Sequence, residues 1–138
     1  MISVYRGVAH PWLCDVMGHL TTRHYMAMFD DASYHLLDSA FGWQPGTGAA
    51  FGWADVRHVL DYQAEVAAGH LLEIRAGVRR LGGSSATVLY EMTDLTAGSR
   101  AATLEAVSVH FDLTARRAAP IPEAMRQRAA PLLLAEAD

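Results

Sequence analysis

The chain has 138 residues, of which 51% are hydrophobic and 19% charged, and its formal net charge is −4. These values are typical of a globular protein, so we expect a single domain over residues 1–138. The negative charge argues against nucleic acid as a partner. All 11 basic residues are arginine, which excludes Schiff-base chemistry on lysine.

A single cysteine, Cys14, excludes an internal disulfide and a cysteine-based zinc site, and it indicates a reducing, cytoplasmic setting. The N-terminal segment lacks the apolar core of a signal peptide, and no apolar run approaches the ~18 residues that span a bilayer. We therefore expect a cytoplasmic protein without a membrane partner. No histidine spacing matches a known metal site, so we expect no bound metal.

The first half of the chain predicts a strand, a loop and one long helix. The strand covers Ile2–Val8, and the loop continues to residue 18. The helix covers Thr22–Phe41, because apolar residues recur there at steps of three and four. Thr21 or Thr22 is the expected N-cap, and Gly42 is the expected stop.

Alternating apolar and polar residues predict four further strands, at residues 53–62, 71–81, 85–95 and 101–112. In the first of these, the alternation places Ala54, Val56 and Leu60 on one face. It places Asp55 and Arg57 on the other face.

Turn residues connect these strands into one layout. Gly82 and Gly83 predict a hairpin, and Pro122 predicts the first position of a short C-terminal helix. Strands gathered around one long helix are an α+β arrangement. One helix cannot cover both faces of such a sheet, so we expect a homodimer or homotetramer.

The loop before the long helix holds the residues with the clearest chemical potential. Asp15 comes three residues before Gly18, and His19 follows, just ahead of the first helical turn. Such a turn places a carboxylate beside backbone N–H groups that have no helical partner. From residue types alone, a turn-capping role for Asp15 is favoured over a catalytic one.

The pattern Asp15-x-x-Gly18-His19-x-x-x-x-x-Tyr25 resembles the signature of the 4-hydroxybenzoyl-CoA thioesterase-like branch of the hot-dog proteins. The segment from Tyr25 to Ala32 looks closest to thioesterases of betainyl-CoA and carnitine pathways. Residues 62–69 resemble the family's strand-then-glycine turn, and residues 78–85 resemble its central hairpin. The resemblance covers residues 4–122 and implies a hot-dog fold, in which an antiparallel sheet of about five strands wraps one long helix.

The same resemblance implies an enzyme that hydrolyses a small acyl-CoA thioester, with coenzyme A present only as part of the substrate. Asp15 would act as general base or nucleophile, and backbone N–H groups near Gly18 and His19 would bind the oxyanion. Two alternatives stay open: a non-catalytic protein that binds acyl-CoA or another small ligand, and a hot-dog hydratase or dehydratase.

Five further residues are candidates for contact with the substrate. Tyr25, Trp53 and His58 would line the acyl pocket, although a structural role is favoured over substrate contact for each of them. Arg79 and Arg80 would bind the phosphates of coenzyme A, with solvated surface charge as the alternative.

Overall fold

The computed structural model describes residues 1–46 and 48–136, and within them one long helix packs against an antiparallel sheet. The elements in chain order are β1 (Ile2–Val8), α1 (Thr22–Phe41), β2 (Phe51–Tyr62), β3 (Leu71–Leu81), β4 (Ser85–Asp94), β5 (Ser99–Asp112), β6 (Arg117–Ala118) and α2 (Glu123–Ala129). No helix among the described residues is long and apolar enough to cross a membrane.

Helix α1 has the predicted bounds. Its buried side chains include Tyr25, Phe29 and Leu36, which follow the three- and four-residue steps of the sequence. Thr21 is the N-cap, but its side chain makes no capping hydrogen bond. Gly42 ends the helix in a left-handed conformation with φ +66°, which a glycine adopts without steric cost.

The strands of the described sheet lie in the order β1-β3-β4-β5-β2, and the two-residue strand β6 pairs with β5. All pairings are antiparallel. Five long strands agree with the predicted number, and β6 was not predicted. Strands β2 and β5 begin two residues earlier than expected, at Phe51 and Ser99, and Pro122 is the N-cap of α2 rather than its first residue.

The core lies between α1 and the sheet. Phe29 and Leu36 from the helix meet Ile74, Met92 and Leu104 from the strands, and all five side chains are at most 1% exposed. Burying a side chain of this size stabilises the fold by about 1.5–3 kcal/mol. The edge strand β2 stays largely exposed.

The alternation predicted for β2 is wrong for Ala54 and Asp55, because a β-bulge follows them, and it is correct for Arg57 and Leu60 after the bulge. Asp55 pairs with Ser108 and Arg57 pairs with Val107, so Val56 is an extra residue in the ladder. The bulge reverses the phase of the alternation and brings Asp55 to the face that looks toward α1.

Candidate active site

A tight turn holds the candidate carboxylate. Cys14 and Leu20 form an isolated bridge, and between them the Asp15 N–H donates to the His19 carbonyl at 2.9 Å. The Gly18 N–H donates to the Asp15 carbonyl at 3.0 Å. Gly18 has φ +79°, in the region that favours glycine, so this residue type allows the chain to reverse here.

The two oxygens of the Asp15 carboxylate have different surroundings. Oδ1 accepts hydrogen bonds from the N–H groups of Met17, at 2.9 Å, and His19, at 3.3 Å. Among the described residues, none donates a hydrogen bond to Oδ2. The carboxylate therefore caps its own turn through one oxygen and keeps the other available for a ligand.

The segment between β2 and β3, residues 63–70, connects this turn to the sheet. The Leu20 N–H donates to the Val66 carbonyl at 2.8 Å. Farther along, Nδ1 of His70 lies 2.7 Å from Oδ2 of Asp94, a carboxylate that is only 1% exposed. A buried carboxylate needs such partners, and the pair ties the end of the segment to β4. The Asp15 turn is thus held by the sheet.

The Asp15 turn opens onto a cleft of about 300 Å³ between the start of α1 and the end of β2. Tyr25 forms its floor, only 4% exposed and edge-to-face with Tyr62 at 5.1 Å between ring centroids. Burial raises the pKa of Tyr25, so its phenol stays neutral. At the rim, Nε2 of His19 lies 3.4 Å from a carboxylate oxygen of Glu65.

The first residue of α1, Thr22, also lines this cleft. The first N–H groups of a helix have no intrahelical partner, and the helix dipole favours negative charge beside them. The N–H groups of Gly18 and His19 already bind Asp15, so their role at the oxyanion stays a prediction. The backbone N–H of Thr22 is a further candidate for that role.

Four of the predicted substrate-binding residues lie away from the Asp15 cleft. Trp53 packs on the last residue of α1, Phe41, with ring centroids 4.7 Å apart. His58 pairs with a carboxylate on its own strand. Arg79 and Arg80 line a depression near the end of β3. Their roles in binding stay predictions.

This cleft brings together three of the predicted site residues: Asp15, His19 and Tyr25. Other lining residues were not predicted as site residues: Met17, Leu20, Thr22, Tyr62, Gln63, Ala64 and Glu65. Several of these lie in residues 62–69, which resemble a family turn, but a turn motif alone assigns no chemistry. No group of three histidine, cysteine or acidic side chains suited to a metal ion occurs in residues 1–46 and 48–136.

Solved structures share this fold. A protein from Pseudomonas aeruginosa strain PAO1 has 27% identity over 93% of this chain and 89% of its own, with a TM-score of 0.80. The probable thioesterase YbaW from Escherichia coli has 18% identity over 97% and 100%, with a TM-score of 0.81. A Staphylococcus aureus protein solved in complex with CoA has 14% identity over 99% and 90%, with a TM-score of 0.85. These neighbours confirm the hot-dog fold.

The sequence profile of the Thioesterase-like superfamily matches residues 9–129. The chain therefore belongs to this superfamily, and the match includes both the Asp15 turn and α1. No curated protein matches the chain.

Proposed function

We propose that the protein hydrolyses an acyl-CoA thioester, with Asp15 as general base or nucleophile. The observation that carries this proposal is the Asp15 carboxylate, hydrogen-bonded within its turn through Oδ1 alone and in one cleft with the start of a long helix. Membership in the superfamily supports the reaction class. The neighbour solved with CoA supports a CoA ester as the ligand.

The chemistry needs a group that attacks the carbonyl carbon and a group that binds the oxyanion. As general base, Asp15 takes a proton from water while the water oxygen attacks. As nucleophile, Asp15 attacks directly and forms an anhydride, which water then hydrolyses. In both routes the carbon–sulfur bond breaks, and the sulfur leaves as the thiol of coenzyme A. The Thr22 N–H is suited to bind the oxyanion, together with the predicted donors near Gly18 and His19.

The test is release of thiol from a panel of acyl-CoAs that includes short-chain, 4-hydroxybenzoyl and betainyl esters, because the family resemblance suggests these groups. We expect turnover by the wild type and its loss in Asp15→Asn. Asp31→Asn is the matched control, because it makes the same charge change on α1, away from the cleft. Thiol release by Asp15→Asn at the wild-type rate would overturn the catalytic role.

The same assay separates the two alternatives. A binding protein would bind acyl-CoA and release no thiol. A hydratase would consume an enoyl-CoA without breaking its thioester, which absorbance of the conjugated double bond detects.

We also propose that the protein forms a homodimer or homotetramer through the edge strand β2. Its 12 residues pair with β5 on one side, and no described strand pairs with the other side. Large apolar side chains on this strand are exposed: Val56 by 62%, Val59 by 37% and Tyr62 by 50%. A long, exposed apolar edge strand promotes association between chains. Tyr62 also lines the Asp15 cleft, so a partner on β2 would adjoin the site.

Sedimentation velocity tests the assembly. We expect a species of two or four chains for the wild type and a shift toward monomer for Val56→Lys, since a charge on an edge strand opposes pairing. A monomeric wild type at micromolar concentration would contradict this proposal.

A further inference from the structure

The pair of His70 and Asp94 lies outside the Asp15 cleft and has a geometry that the proposed chemistry does not explain. Oδ2 of Asp94 lies 2.7 Å from Nδ1 of His70. Oδ1 accepts hydrogen bonds from the N–H groups of Thr96, at 3.0 Å, and Ala97, at 2.9 Å. Because a carboxylate only accepts, Nδ1 of His70 is the donor of a charge-assisted bond.

Burial distinguishes this pair from the two other histidine–carboxylate pairs of the described residues. In those pairs the closest nitrogen–oxygen distance is 3.4 Å, and the carboxylate side chains are 78% and 40% exposed. Asp94 is 1% exposed. Exposed pairs contribute little, whereas loss of one partner of a buried pair leaves a charge without compensation. The sheet therefore holds His70 in one position.

Backbone hydrogen bonds connect His70 with the start of the loop that contains Asp15. The Ala9 N–H donates to the His70 carbonyl at 2.9 Å, and the Gly69 N–H donates to the Ala9 carbonyl at 2.7 Å. Ala9 is 0% exposed. The position of His70 thus determines where this loop leaves the sheet.

The two residues before Gly69 contact the Asp15 turn itself. The Ala68 N–H donates to the Gly18 carbonyl at 3.1 Å, and Ala67 forms an isolated antiparallel bridge with His19. The His19 N–H in turn binds Oδ1 of Asp15. A displacement of residues 67–70 would therefore displace the carboxylate.

We propose that His70 is a positioning residue for the reaction: its bond to Asp94 fixes residues 67–70, and these residues fix the Asp15 carboxylate in the cleft. The proposal rests on the proposed thioesterase function and adds a residue that does not line the cleft. Because small displacements of a reacting group are costly, loss of this bond should lower kcat and leave substrate binding nearly unchanged.

Two substitutions of the same residue test the proposal. His70→Leu removes the donor, whereas His70→Asn keeps an amide N–H that can replace Nδ1. We expect kcat for thiol release to fall by about tenfold or more in His70→Leu and to be largely retained in His70→Asn. The Kd of a non-hydrolysable thioether analogue of acyl-CoA should stay within about twofold of the wild-type value in both, since binding groups are unchanged.

Val88→Ala controls for a general loss of stability. Val88 is 3% exposed in the middle of β4, so its truncation should lower the melting temperature and leave kcat at the wild-type value. Wild-type kcat in His70→Leu would overturn the proposal. An equal loss of kcat in His70→Leu and Val88→Ala would also overturn it.

Ala68→Pro tests the same connection without a change in the buried pair. The His70 N–H donates to the Ala67 carbonyl at 3.2 Å, and Gly69 has φ +87°. This is the geometry of a type II turn, whose second position accepts proline. The variant should therefore keep its fold, lose the N–H that binds Gly18, and lose kcat severalfold. Wild-type kcat in folded Ala68→Pro would contradict the proposal.

Amide hydrogen exchange separates the failure of this inference from the failure of the proposed function. The N–H groups of Met17 and His19 bind Asp15, so their exchange rates report on the turn. Turnover by the wild type with unchanged kcat in His70→Leu would refute the inference and leave the thioesterase standing. Absence of wild-type turnover would refute the thioesterase. Faster exchange in His70→Leu than in His70→Asn would then still support the anchoring role, and equal exchange would overturn it.

Discussion

The glycine of the Asp15 turn offers a specific test of how backbone geometry supports catalysis. Gly18 has φ +79°, and a Cβ added there would meet no atom within 4 Å. Gly18→Ala therefore introduces backbone strain without a steric clash. An L-residue in the left-handed region costs about 1–2 kcal/mol, and relaxation of the turn would relieve this strain by moving the Asp15 carboxylate.

Gly98→Ala is the matched control. Gly98 has φ +73°, and an added Cβ is likewise free of contacts within 4 Å, but this glycine lies in the exposed turn before β5. Both variants should lower the midpoint of thermal unfolding by a few degrees, because each kcal/mol of lost stability lowers it by ~2–8 °C in domains of this size range. Only Gly18→Ala should lose kcat/KM, by about tenfold or more, because small displacements of a catalytic group are costly.

Thermal scans and thiol release on the two purified variants measure both effects. Equal activity of Gly18→Ala and wild type, at the expected loss of stability, would refute the reasoning that this turn positions the carboxylate.

Three further predictions concern stability. Leu36 is 0% exposed, so Leu36→Ala should lower the free energy of unfolding by about 2–5 kcal/mol in urea titrations; a loss below 1 kcal/mol would contradict the assigned core. Asp94→Asn replaces a buried carboxylate that accepts hydrogen bonds from two backbone N–H groups and from an imidazole. This change should lower the free energy of unfolding by about 1.5–3 kcal/mol. Hydrogen bonds from Ala115 and Thr114 hold the pKa of Asp112 below its usual value, so its stabilisation is present at neutral pH and disappears as the pH falls through that lowered pKa. The melting temperatures of Asp112→Asn and wild type should therefore differ at pH 7 and converge in acid; a constant difference would contradict the assignment.

The sequence contains enough information for the helix and for the alternation of most strands. The bounds of α1 agree with the prediction because its apolar stripe is long and regular and because Gly42 ends it. The alternation in residues 71–81 likewise matches the buried and exposed faces of β3 over most of its length.

Strand neighbours and the phase of β2 could not be predicted. Alternation indicates on which face of the sheet a side chain lies. It does not indicate that β1 pairs with β3 or that β2 pairs with β5, because these partners are distant in sequence. The bulge at Val56 leaves no signal in the alternation, and it changed the face assigned to Asp55.

Only part of the candidate site could be predicted. Asp15, His19 and Tyr25 are near one another in sequence, so a local motif is enough to group them. Tyr62 and Glu65 reach the same cleft only because the end of β2 folds back against the start of α1. Such long-range proximity depends on the sheet topology.

The central claim is that the Asp15 carboxylate performs the chemistry and does not merely hold the turn. Asn at this position keeps an oxygen that can accept from Met17 and His19, so Asp15→Asn should preserve the turn and remove only the charge. The most direct measurement compares kcat for thiol release with the Kd of the same acyl-CoA, in wild type and in Asp15→Asn. The account predicts that kcat falls by about 10²–10⁴-fold while Kd stays nearly constant. An unchanged kcat would contradict it.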